Sequence, residues 1–343
     1  MSPRTTLKDV AREAGVHVST ASRALNPRTA SVVNAETVER VTAVARRLDY
    51  RPHPLARGLR TNRTMSVGMA IPDVENPLFG PIIAGAESVL AAHSYSVLIG
   101  NADQGELDAE EVVSNLLEHH VDGLLLATAT RSDDWIAEMV AGGVAVVLVN
   151  RSSDDGVVPA IVGDDHAGIG LAVRHLADLG HQHIGHIAGP SQLSTGLQRQ
   201  QAFSSWVQLL DLDPQPEKVE EATWFQVEPG YKAALDLLSR RPDITAIVAA
   251  NDLIALGCYR AVRSLGLEVP GDVSVTGYND IPLLDLMQPA VTSVRVPYRQ
   301  MGTQGASALI ARMQGDSDEA PASIKLTPTL MIRSSTAPPR TLR

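Results

Sequence analysis

The 343-residue sequence predicts a small all-α unit of helix-turn-helix outline, followed by an α/β body built on two parallel, doubly wound sheets. Three observations lead there. The length exceeds what one hydrophobic core usually holds, so two or three structural units are expected. Charge is unevenly placed: residues 1–60 carry 11 Lys and Arg against 5 Asp and Glu, a net of +6, whereas residues 61–343 carry 18 against 34, a net of −16. From Met65 onward, short β-rich runs alternate with helical patterns. A basic head on an acidic body points to a nucleic acid or another acidic surface met by the head alone.

In "TLKDVAREAGVHVSTASRALN", residues 6–26, Leu7, Val10, Ala11 and Ala14 fall at helical spacing, Gly15 interrupts, and Val18, Ala21, Ala24 and Leu25 resume. Two short helices meeting at a glycine-containing turn outline a helix-turn-helix, whose second helix lies in the DNA major groove. Thr6 can cap the first helix, with Asp9 as the carboxylate of a capping box. Early in the second helix, His17, Val18, Ser19, Thr20, Ser22 and Arg23 stand where base edges would lie. A surface helical hairpin with merely solvated Ser and Arg side chains would show the same pattern. A third helix follows in "ASVVNAETVERVTAVARRLDY", with Asn34 as N-cap, Glu36 in the first turn, Val38, Val41, Ala45 and Leu48 turned inward, and Arg46 and Arg47 near its negative end.

Residues 50–63, "YRPHPLARGLRTNR", hold two prolines, four arginines and too few apolar residues for a core, and they read as a linker. Pro54 suits a first helical turn, Gly58 weakens any helix there, and one so short does not persist alone in water. In the body the strand-like runs are "MSVGMAIP", "YSVLIGN", "VDGLLLAT", "VAVVLVN", "HIGHIAG", "TAIVAAND" and "VSVTGYND", with helices between them such as 106–119 and 195–210. About ten such units favour two sheets over one, with helices on both faces. Ligands of open α/β sheets bind outside the carboxyl ends of the strands, where this chain places its polar, glycine-bearing turns.

Several features point away from other chemistries. Cys258 is the single cysteine, so no intramolecular disulfide is expected, and its apolar neighbours suggest a structural role in a reducing compartment. The amino terminus lacks a continuous apolar segment and no stretch approaches a membrane span, so a cytoplasmic protein without membrane partners is expected. His181, His183 and His186 in "GHQHIGH" invite a metal reading, but no Cys, Asp or Glu accompanies them locally, and no metal is expected. "VGDDHAGIG" has neither the G-x-G-x-x-G spacing nor a P-loop lysine. No Ser, His and Asp constellation announces a nucleophile, so neither a cofactor nor a reaction is expected.

These segments together resemble the lactose-repressor/galactose-repressor (LacI/GalR) regulators. The likeness runs almost position for position through residues 6–26, continues through "TVERVTAVARRLDYRPHPLARGLRTNRTMSVGMAIPDVENPLFG", and reaches the "IRSS" near the carboxyl end. The chain departs from the family at His17, usually Ser, at Ala21, commonly Val, and at His53, usually Asn. The resemblance implies a homodimeric repressor that binds a pseudo-palindromic operator and responds to a small, sugar-like effector. It adds Thr6 and Asn26 to the DNA contacts and makes residues 50–63 a hinge whose Leu59 wedges into the minor groove; the plainer reading of Leu59 is linker packing. A transport protein sharing such a body would need a signal sequence, and an enzyme a catalytic constellation. The tail "SSTAPPRTLR" has no heptads to join dimers into tetramers.

For the body the resemblance implies a periplasmic-binding-protein type I fold, two lobes with chain crossings near residues 163, 292 and 323. The expected units are then 1–49 (head), 50–63 (hinge), 64–163 plus 293–323 (first lobe) and 164–292 plus 324–343 (second lobe). Carried over motif by motif, the effector positions are Leu78 and Phe79 in "PDVENPLFG", Asn150 after its strand, Arg199 after "IAGP", Phe225, Asn251 of "AND" and Asn279 of "GYND". Arg199 could instead be a surface arginine, Phe225 a core residue and Asp252 a helix cap. Relatives usually carry Asp at the Asn279 position. An amide both donates and accepts, so the effector should offer at least one acceptor there.

Overall fold

Alanines at Ala11, Ala14, Ala21 and Ala24 let short helices meet closely around the fully buried Val10 and Val41. These helices are α1 (Leu7–Glu13), α2 (Val18–Ala24) and α3 (Ala35–Arg47). The structure, a computed structural model, describes residues 5–25, 29–50, 63–102, 108–213, 216–315 and 323–340, and it divides into two units, Met1–Thr64 and Met65–Arg343. In the head unit the capping box forms: the Thr6 hydroxyl accepts from the Asp9 N–H, and the Asp9 carboxylate accepts from the Thr6 N–H at 3.0 Å. Gly15 turns the chain between α1 and α2 at φ +66°, a left-handed conformation that costs glycine little. Asn34 caps α3, and Arg40 ties α3 to the end of α1 by donating from Nε to the Ala14 carbonyl at 3.2 Å. Arg47 and Glu13 add an ion pair at 2.8 Å.

The body alternates strand and helix. Its first half contains β1 (Ser66–Ile71), α4 (Phe79–Ala92), β2 (Ser96–Asn101), α5 (Ala109–Glu118), β3 (Leu124–Leu126), α6 (Asp134–Ala141), β4 (Val146–Val149) and β5 (Ala160–Gly163). Then follow α7 (Asp165–Asp178), β6 (Ile184–Ala188), α8 (Ser194–Leu209), β7 (Val219–Glu221), α9 (Val227–Arg240), β8 (Ala246–Ala249), α10 (Asp252–Ser264) and β9 (Ser274–Asn279). The chain ends with β10 (Thr292–Arg295), α11 (Tyr298–Gln314), β11 (Ile324–Leu326) and β12 (Thr329–Met331).

Two six-stranded sheets result, ordered β11-β5-β4-β3-β1-β2 and β12-β10-β9-β8-β6-β7. Every pairing in the first sheet is parallel. The second departs from the expected parallel sheet, because β12 runs antiparallel to β10. The reason is directional: β10 leads the chain out of this sheet and β12 leads it back in. One apolar cluster joins both sheets, running from Met69, Leu125 and Val147 to Val248, Tyr278 and Val294.

The crossings shift from their expected places. The first follows β5, at Gly163 as expected. The second lies between Arg295 and Tyr298, because residues 293–295 still pair in the second sheet. The third lies between Leu326 and Thr329, because residues 324–326 pair with β5 in the first sheet. Residues 293–295 and 324–326 therefore belong to the opposite sheets from those expected: hydrogen-bond register, which motif alignment does not see, decides where a strand ends.

Helices α4 and α11 touch backbone to backbone. A Cβ on Gly302 would lie 1.9 Å from the Ile82 carbonyl oxygen, and one on Gly85 would lie 2.1 Å from that of Arg299. No side chain can move aside there, so the helices themselves would have to separate. Gly302→Ala is expected to destabilise the body by about 1–3 kcal/mol through overpacking. Urea unfolding checks this, and a midpoint equal to the wild type's would show that the helices tolerate separation.

Candidate functional site

Helix α2 sorts the head's candidate residues by their position around the helix. At about 100° per residue, Ser19, Ser22 and Arg23 fall on the arc opposite Ala21 and Ala24, which are buried. Val18 and Thr20 flank that arc half-buried, and Val18 also packs against the head's core. His17 stands one place before the helical readers. It is the N-cap of α2, its Nδ1 accepting from the Ser19 N–H at 3.3 Å and lying 2.7 Å from Ser19 Oγ. Thr6 is exposed, and its hydroxyl donates to Asp9 at 2.7 Å. Asn26, Leu59 and the hinge segment 51–62 lie outside the described residues.

In the body, a cleft opens where strand ends of both sheets face helix N-termini. Leu78, Phe79, Asn150, Arg199, Phe225, Asn251 and Asn279 all line it. So do Pro72, Asp73, Asn76, Arg151, Thr195 and Trp224, which sequence reasoning missed. Arg151 and Trp224 adjoin an expected residue, and Pro72, Asp73 and Asn76 lie in the "PDVENPLFG" motif, whereas Thr195 carried no signal. Asn150 and Asn279 both have positive φ, +68° and +112°, at the ends of β4 and β9. Asparagine tolerates the left-handed region better than most residues, which suits it to these turns.

Arg199 is buried, so the surface reading is excluded. Its Nε donates to Asp165 at 2.9 Å and its Nη1 to the Ala250 carbonyl at 2.7 Å, while the guanidinium lies 4.0 Å from the Tyr278 ring centre. Burial alone would favour the neutral form, but Asp165 and the buried Tyr278 and Tyr298 outweigh it and raise the pKa above arginine's ordinary value. Phe225 is both core and cleft: it packs in the apolar cluster of α9 and α10 and also lines the opening. Asn279 Oδ1 accepts from the Tyr298 hydroxyl at 2.7 Å, which turns its amide nitrogen to other partners.

In the "AND" turn Asn251 lines the cleft and Asp252 is structural, as expected, but the cap is the other residue. Asn251, not Asp252, caps α10: its Oδ1 accepts from the Ile254 N–H at 2.7 Å and its Nδ2 donates to the Phe225 carbonyl at 3.3 Å. Asn251 thus reaches the cleft with its oxygen already engaged, and it holds Phe225 in place. Asp252 is fully buried and accepts from the Ser293 hydroxyl and from the Ile281 N–H at 2.9 Å, anchoring the loop that follows Asn279.

The three histidines of "GHQHIGH" have separate partners. His181 lies between Thr245 Oγ1 and the Ala337 carbonyl, His183 beside Asp213 and Asp243, and His186 against the Val248 carbonyl and the Phe203 ring. Among the described residues, no group of three His, Cys, Asp or Glu is placed to hold a metal. Cys258 is buried, and desolvation raises its thiol pKa well above the usual value. Among the described residues no helix is long and apolar enough to cross a membrane.

Comparison with known proteins places both units. Residues 6–53 match the family model of bacterial regulatory proteins, lacI family, and residues 173–336 match a periplasmic binding protein-like domain. The chain is 34% identical to the HTH-type transcriptional regulator MalR of Streptomyces coelicolor over 342 residues, covering 97% of each chain. Among solved structures, it is similar to the lac repressor dimer bound to operator and the anti-inducer ONPF, with 28% identity, a TM-score of 0.85, and 98% and 100% of the two chains covered. A CelR–cellobiose complex matches with 29% identity, a TM-score of 0.73, and 97% and 100% coverage.

The Asp252 carboxyl makes stability depend on pH. Burial is the largest influence and raises its pKa to about 7, with Asp280 adding to the rise and the hydrogen bonds from Ser293 and Ile281 opposing it. In the unfolded chain the group titrates near ~3.9. Because the folded value is the higher one, its contribution to stability is complete below about pH 4 and is lost as pH rises through about 7. Asp252→Asn is expected to remove this dependence, so the variant should gain stability relative to wild type between acid and neutral pH. Urea midpoints across that range check it; a difference constant with pH would mean that the carboxyl does not titrate there.

Proposed function

This chain belongs to the lacI family of bacterial regulatory proteins, a family of DNA-binding transcriptional regulators, and we propose that it is a homodimeric repressor controlled by a small molecule held in the cleft of its body. The observation that carries the effector half of this reading is the convergence of Leu78, Phe79, Asn150, Arg199, Phe225, Asn251 and Asn279 on one cleft. The related complexes supply the pattern, one with operator DNA and one with cellobiose. Two heads of one dimer would read the two half-sites of a pseudo-palindrome, with Ser19, Ser22 and Arg23 toward base edges and the hinge around Leu59 completing the grip. The chain would act in the cytoplasm, where the DNA is, and no residue is assigned a catalytic role.

Control is linkage between two sites. An effector that prefers one arrangement of the two lobes changes operator affinity by its differential affinity for the two states. In the cleft, Phe225 and Trp224 offer faces for a ring, and Arg199 supplies a positive charge held in place by Asp165 and the Ala250 carbonyl.

Two substitutions test the two halves. Arg23→Ala is expected to weaken operator binding by about 1–3 kcal/mol if the guanidinium reads a base. Fluorescence anisotropy against operator and random DNA, over a range of salt, measures it; equal losses on both DNAs would reduce Arg23 to a phosphate contact. For the cleft, Arg199→Ala is a poor probe because it leaves the buried Asp165 unpaired, at a cost of roughly 3–5 kcal/mol. Asn279→Asp is cleaner, because a carboxylate still accepts from Tyr298 while its other oxygen replaces a donor with an acceptor. Calorimetric titration is expected to show preference moving toward ligands that offer two hydroxyl donors. An unchanged ranking would place the ligand away from Asn279.

A further inference from the structure

Arg151 stands directly after Asn150 at the mouth of the cleft, and its surroundings differ from those of Arg199. Both guanidiniums are buried, with 5% and 4% exposure, and both line the same opening. Arg199 is paired with Asp165. Among the described residues, Arg151 makes one hydrogen bond, a long one of 3.3 Å from Nη1 to the Thr128 carbonyl, and its Nε is buried without a partner. Burial, opposed by the charge of Asp133 and reinforced by that of Arg199, lowers its pKa to about 10. The Asp133 carboxylate acts on Arg151 through space only and forms no ion pair with it; its oxygens accept from the Thr130 N–H at 2.7 Å and the Thr130 hydroxyl at 2.6 Å.

A buried charge without a contact ion pair is costly, and arginine does not escape the cost by losing its proton. Among the described residues, no other side chain of the lining pairs with Arg151. Asparagines 76, 150, 251 and 279 are neutral, and Asp73, the one carboxylate in the lining, is half-buried and accepts from the Glu75 N–H at 2.9 Å. The N-terminal turns of α4 and α8 also contribute to the lining, and the N-terminus of a helix favours negative charge.

We propose that the effector is an anion, a hydroxylated small molecule carrying a carboxylate or a phosphate, whose acidic group is received by Arg151 as a charge-assisted, bidentate pair. This rests on the reading of the cleft as the effector site and names the ligand's class. Asn279 fits it: an amide donor can face the oxygens of an anion, whereas a carboxylate at that place would repel it.

The test uses the full chain and matched probes: neutral hexoses and pentoses, their phosphate esters, their uronic acids, and inorganic phosphate alone. The expected result is that at least one phosphate ester or one uronate raises Tm by several degrees where its neutral parent and inorganic phosphate do not. Esters and uronates in separate arms decide which acid is bound. Arg151→Gln should weaken that ligand at least tenfold by calorimetry. Without any ligand, Arg151→Met should melt at or above the wild-type temperature, because it removes an uncompensated buried charge. A panel in which no anion outperforms its neutral parent overturns the proposal, and so does a clear drop in the unliganded Tm of Arg151→Met, which would make the arginine a structural group. A neutral sugar weakened by Asn279→Asp but not by Arg151→Gln would remove the anion and leave the cleft reading standing. Anion binding indifferent to both variants would reject the cleft as well.

Discussion

The buried ion pair between Arg199 and Asp165 is the constraint on which the body's second half depends. It links the start of α7, the first element after the chain leaves the first sheet, to the second turn of α8. Through the Ala250 carbonyl and the Tyr278 ring, the same guanidinium also touches the ends of β8 and β9. Four segments distant in sequence thus share one charged group. Close approach makes this possible: a Cβ at Gly168 would lie 2.4 Å from the Tyr278 hydroxyl oxygen, so only glycine lets α7 settle against that ring. Such a pair contributes little net stability over an apolar substitute, but losing one partner alone is severe, and the arrangement therefore fixes geometry more than it adds energy.

Much of this was legible in the residues. Short β-rich runs bounded by turns marked β1, β2, β3, β4, β6, β8 and β9; all of these but the edge strand β2, which has no buried residue, are covered and need such runs. β7 and the edge strands β11 and β12 escaped notice: each is three residues long, and β7 carries Glu220 and Glu221. β5 and β10 are only four residues long and lie at crossings, where the eye finds a loop. In the head the capping box and the Asn34 cap could be read from local chemistry alone, since both partners lie within three residues.

The site was legible only where a motif named a residue. Asn251 and Asp252 are neighbours and both favour helix starts, so their roles could be exchanged on paper; the register of α10 decides between them. Asp165 sits in a glycine-bearing stretch after a strand, and nothing local announces its partner 34 residues away. Arg151 presents the converse case, since its importance lies in a missing neighbour, which no local pattern records. The head's core shows a related limit. Five of its eight buried apolar side chains are alanine, so periodicity reveals the helices while hiding how little apolar surface holds them together.

The antiparallel strand β12 also bears on how the molecule is made. Residues 324–326 complete the first sheet and 329–331 the second, and beyond them the Ser335 carbonyl receives the Val275 N–H at 2.9 Å. During synthesis the head, wholly local in its contacts, can fold as soon as it leaves the ribosome, whereas both halves of the body wait for the last few dozen residues. A nascent chain of this kind carries its folded head, with the helix that would face DNA, well before it has a cleft with which to sense anything. A ribosome stalled or a message cut late in the reading frame would therefore release a reader without its control.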